Sequence, residues 1–102
     1  MTDIEASRRA LVVGVLEGEG KADVGTRRAA FDNVAVAAPL QALVEKVGSR
    51  PGDVTEEDFA AARASGMSED QIFEVTVCAA VGQASRQHEV ALAALRAATK
   101  GD

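Results

Sequence analysis

"VTEEDFAAARASGMSEDQIF", residues 54–73, contains two helix starts in succession, each with its own capping signal. Thr55 and Asp58 have the spacing of a capping box, with aspartate in the place more often held by Glu or Gln. Val54 before the cap and Phe59 after it have the spacing of a hydrophobic staple. Gly66 supplies the left-handed residue that closes the first helix. Ser68 with Gln71 forms a second capping box, and Met67 with Ile72 a second staple. Acids crowd both first turns, where the helix dipole favours each by about 0.3–1 kcal/mol. No segment of the chain alternates as a strand would, so the expected fold class is all-α.

Downstream, the second of these helices runs from Glu69 to about Ala98 without a proline. That is roughly 30 residues, or about 45 Å at helical rise. Ile72, Phe73, Val75, Val77, Ala79, Ala80 and Val81 surround its first half, which predicts a long helix buried on nearly every side. Gly82 in its interior costs about 1 kcal/mol against alanine, which points to a close helix crossing there or to a break.

Upstream, residues 3–17 carry Ile4, Leu11, Val12, Val15 and Leu16 at helical spacing, with Asp3 as the N-cap. "GEGKADVG" holds three of the chain's nine glycines and reads as a loop. A second helix is expected from about Thr26 to Val36, with Arg27 and Arg28 on its outer face and Phe31 turned inward. Pro39 marks the start of a third, in which Leu40, Leu43, Val44 and Val47 form one stripe. "GSRPGD" ends it.

Composition limits the function classes. A chain of 102 residues suits a single domain, 1–102, with one core. Hydrophobic residues make up 47% of it, but three Phe are the only aromatics, so the alanine-rich core buries little area per side chain. Oligomerisation would bury more. A net charge of −5 offers no basic field to nucleic acid or an anionic membrane. No apolar run approaches a membrane span, and "MTDIEASRRALVVG" lacks the layout of a signal peptide. Cys78 is the only cysteine, so no internal disulfide forms; the expected compartment is the cytoplasm.

Helix, glycine turn and helix also outline a DNA-reading motif. Residues 53–74, however, hold seven acids and one arginine, a balance of −6 that would repel phosphates.

The run "DVTEEDFAAARASGMSEDQIFEVTVCAAVGQASRQHEVALAAL" resembles the carboxymuconolactone decarboxylase and alkylhydroperoxidase D-like superfamily, nearest to a branch of short members without its paired cysteines. The likeness covers roughly residues 40–98, and its most specific part is "ASGMSEDQIFEV" followed by an alanine-rich helix. The resemblance implies an all-helical fold that assembles into trimers or hexamers with interleaved helices. Redox members carry CxxC and, four residues later, histidine on the helix before this turn. Counted back from Gly66, those positions are Pro51, Val54 and Asp58. Without a dithiol, peroxide reduction of the family type is not expected.

The remaining chemistry-bearing residues each have two readings. Glu74 and Cys78 share a face at i and i+4, and a carboxylate neighbour disfavours the thiolate. Cys78 then serves as a small buried hydrophobe. His88 lies ten residues beyond Cys78, about 15 Å along a continuous helix, so the two meet only across a subunit interface. Asp53, Glu56, Glu57 and Asp58 lack the spacing of a metal loop and complement a helix dipole instead. The pairs Arg8–Arg9 and Arg27–Arg28 could grip a carboxylate or phosphate, or simply face solvent and nearby acids. No metal or cofactor is expected.

Two function classes follow. The first is a non-redox helical homo-oligomer with a structural, small-molecule-binding or assembly role. The second is an enzyme with an intersubunit pocket built from Glu74, Cys78, Arg86 and His88, performing one-cysteine peroxidase-like or decarboxylase/isomerase-type chemistry. Convergence of those four in an apolar cavity would favour the enzyme.

Overall fold

The computed structural model describes residues 2–34, 36 and 40–100, with side chains from Ile4 onward. Among the described residues five α-helices follow one another: α1 (Thr2–Glu17), α2 (Val24–Asp32), α3 (Leu40–Ser49), α4 (Glu56–Ala64) and α5 (Glu69–Lys100). A short 3-10 turn over Pro51–Asp53 links α3 to α4, and no strand occurs among the described residues. Asp3 lies inside α1, which begins at Thr2, so it is not the expected N-cap; Pro39 falls outside the described residues.

The two helix starts at residues 54–73 form as their sequence dictates. The Asp58 carboxylate accepts from Thr55 N–H at 2.9 Å and from its hydroxyl at 3.2 Å. It also accepts from Lys46 Nζ at 3.1 Å, tying α4 to α3. Gly66 turns the chain at φ +104°. Ser68 Oγ then accepts from Gln71 N–H at 3.1 Å, while Gln71 Oε1 accepts from Ser68 N–H at 2.9 Å. Every orphan amide satisfied in this way is one the first helical turn would otherwise leave bare.

α5 is the axis of the molecule. α2 and α3 pack on its first half and α4 turns back beside α3. Leu40, Leu43 and Val44 of α3, Ala30 of α2 and Ala62 of α4 close a core around Ile72, Val75, Cys78 and Ala79. α5 does not break at Gly82, because α2 crosses it there. A Cβ on Gly82 would collide with the Phe31 carbonyl oxygen and stand 2.8 Å from Phe31 Cα. Only glycine lets the two backbones meet at this distance.

α1 runs antiparallel to α5. Val15 lies by Cys78, Val12 by Arg86, Arg8 by Glu89 and Glu5 by Arg96. The pair reaches well past the core, giving extents of 55 × 28 × 19 Å and a radius of gyration of 15.5 Å. A compact chain of this length would have about 13 Å.

Several sequence expectations are corrected. α2 starts at Val24 and stops at Asp32, because Asp23 caps Thr26 N–H at 3.0 Å and Asn33 takes the left-handed conformation at φ 54°. Arg27 is not on an outer face; it is buried at 5% exposure. Ile4 and Leu11 stand exposed, while at the end of their stripe Leu16 is buried and Val15 packs against the core. The first half of α5 is not buried on every side but open along one stripe: Phe73 is 69% exposed and Ala80 is open on the same face. Among the described residues no helix is long and apolar enough to cross a membrane.

Candidate functional site

The expected catalytic residues sit on α5, and the first two belong to a polar seam between α5 and the loop joining α1 to α2. α1 ends "VLEGEG", with acids and no basic residue where the helix dipole calls for a cation. The cation comes from α2. Arg27 Nη1 donates to the carbonyls of Gly18 at 2.8 Å and Val15 at 3.3 Å, and its Nε donates to Ala22 O at 3.1 Å. Its burial is tolerable because these carbonyls satisfy it and because Glu74 stands close by.

Glu74 serves the same loop from the other side. Both carboxylate oxygens accept from Lys21 N–H at 2.8 Å, and Oε2 also accepts from Ala22 N–H at 2.6 Å. These amide bonds hold its carboxyl below the ordinary glutamate range, the Ala22 and Lys21 contributions leading, with Arg27 and Lys21 charges assisting. Gly20 keeps the loop this close: a Cβ there would lie 2.7 Å from Glu74 Oε1. Gln71, one turn earlier, donates from Nε2 to Lys21 O at 3.2 Å.

Cys78 lies beneath this seam at 1% exposure, unpaired, its Sγ 3.5 Å from Val15 O. Burial pushes its thiol pKa up; the Arg27 charge opposes this and the Glu74 charge adds to it. The thiolate is therefore suppressed at neutral pH.

Arg86 and His88 lie elsewhere. Arg86 Nη1 donates to Phe31 O at 2.6 Å, just past the Gly82 crossing, and Nη2 donates to Gln83 Oε1 at 3.1 Å. His88, two residues farther along the helix, is partly exposed. The structure thus joins Glu74 to the neighbourhood of Cys78 and leaves Arg86 and His88 outside it. Among the described residues no three His, Cys, Asp or Glu side chains converge as a metal site would require.

Arg86 does line a cleft of about 410 Å³ between α1 and α5, together with Arg8 and Arg9. The sequence offered the Arg27–Arg28 pair as an equal candidate for anion binding. Arg27 of that pair is committed inside the fold to three carbonyls, while Arg28 stays at the surface, paired with Glu17 at 3.4 Å. The buried role of Arg27 was missed, although an acidic helix C-terminus followed by a glycine loop signals that a cation must come from elsewhere.

No family model, curated protein or solved structure matches this chain.

Proposed function

We propose that the chain is a non-redox helical homo-oligomer of the carboxymuconolactone decarboxylase-like kind, with α5 of each copy covered by its neighbours. The resemblance in the turn before α5 suggests a trimer or hexamer. One observation carries the reading: Phe73, Val77 and Ala80 form an i, i+4, i+7 stripe of α5 on which Phe73 and Ala80 lie open. Val90 and Leu95 are also exposed farther along the same helix. A phenylalanine bared on the face of a core helix, in a chain with only three, marks a surface meant to be covered. The role is structural, binding or assembly. Cys78 is sealed, Glu74 is committed to loop amides, and neither is left to act on a substrate.

Static light scattering of the dilute protein tests this. The mass should stand well above the 10.5 kDa of one chain. A monomer at that mass would refute the proposal.

A further inference from the structure

We propose that the cleft between α1 and α5 binds a small organic monoanion, its charged head held by Arg8, Arg9 and Arg86 and its apolar body against Val12 and Phe31. The volume, about 410 Å³, falls within the range of roughly 300–1,000 Å³ usual for small-molecule sites.

The arginines are arranged for a ligand that is not part of the chain. Arg8 Nε is withdrawn from solvent with no hydrogen-bond acceptor among the described residues. A buried guanidinium N–H without an acceptor is unfavourable, and an anionic oxygen in the cleft would satisfy it. Arg86 is held in place by Phe31 O and Gln83 Oε1, which use two of the five N–H donors of a guanidinium and leave the others for a ligand. A fork fixed in advance loses little entropy on binding.

The lining also sets the class of anion. Asp32 and Glu89 border the same cleft, yet none of the ion pairs among the described residues joins them to Arg8, Arg9 or Arg86. Three cations and two anions leave a balance of +1. That balance suits a single carboxylate or sulfonate and disfavours a phosphate dianion. Val12 and Phe31 offer an apolar wall that inorganic ions cannot use, whereas the ring or chain of an organic acid can. Ser85 adds a hydroxyl at the rim. The site stands apart from the Glu74–Cys78 seam and does not depend on the assembly proposed above.

Benzoate serves as the probe, with benzamide as its neutral isostere and inorganic phosphate as the dianion control. Each is titrated into the nitrogen-15-labelled chain at mildly alkaline pH, where inorganic phosphate is mostly the dianion, following the backbone amides of Val12, Phe31 and Ser85. Benzoate should shift these three in a saturable way, while benzamide and phosphate leave them in place. Arg8→Gln removes a cation that holds no other element, so it should melt as the parent does and bind benzoate at least about tenfold more weakly. Arg86→Gln should weaken binding likewise. Equal binding of benzamide, a preference for phosphate, unperturbed amides, or undiminished binding in Arg8→Gln would each overturn the proposal.

Discussion

The Glu74 carboxylate accepts the Ala22 N–H at 2.6 Å, fixing a loop between α1 and α2 to the second turn of the molecule's longest helix. The folded-state pKa of Glu74 lies below that of the unfolded chain. Its stabilisation is therefore complete above the ordinary glutamate range and is lost as pH falls through the folded value. Denaturant melts between neutral and acid pH should show stability falling across that window. In Glu74→Gln the loss should be shallower, because an uncharged amide cannot titrate there. Asp23 and Asp58, also held below the ordinary carboxylate range by their cap bonds, keep part of the slope in the variant. An unchanged pH profile in Glu74→Gln would show that the loop does not depend on the charge.

Gly82→Ala places a methyl group against the Phe31 carbonyl, which is backbone and cannot rotate away. Alanine gains about 1 kcal/mol of helix propensity over glycine, so a solvent-facing site would be stabilised. Here the two helices must separate, and overpacking of this kind costs about 1–3 kcal/mol or more. Net destabilisation in urea melts, at unchanged slope, is the expected outcome. A more stable variant would mean that α2 and α5 do not cross at this point.

Cys78 should label slowly with alkylating reagents in the native protein and rapidly after unfolding in urea. Burial removes access and also raises the thiol pKa, so both the accessible and the ionised fractions are small. Organic peroxide should not be consumed with a dithiol reductant. Rapid native labelling, together with peroxide loss abolished in Cys78→Ser, would make the thiol a working nucleophile.

Local structure was legible wherever one helical turn decides it. The Ser68–Gln71 box and the left-handed Gly66 both follow from residues within a few positions of one another. Arg27 was not, because its three acceptors lie on another helix and a loop. Adjacent arginines look alike in a sequence; which one turns inward depends on where the acidic end of α1 comes to rest. Likewise, Ile4 and Leu11 follow the same helical period as Leu16, but α1 extends past the core, so only the last of them is covered. For the site, proximity of Glu74 to Cys78 was readable from their spacing. The use of Glu74 by the amides of Lys21 and Ala22 needed the fold.

Sedimentation equilibrium of the parent and of Phe73→Glu shows whether the open face of α5 is, as proposed, a contact between copies of the chain. Phe73 is exposed within one chain, so the substitution should leave the helical circular dichroism unchanged. A carboxylate buried unpaired at an interface costs on the order of 3 kcal/mol or more, so dissociation should strengthen by at least about a hundredfold. The prediction is a parent mass that is a multiple of 10.5 kDa and a Phe73→Glu mass that falls toward a single chain on dilution. A parent that sediments as a monomer, or a variant that assembles as tightly as the parent, would contradict it.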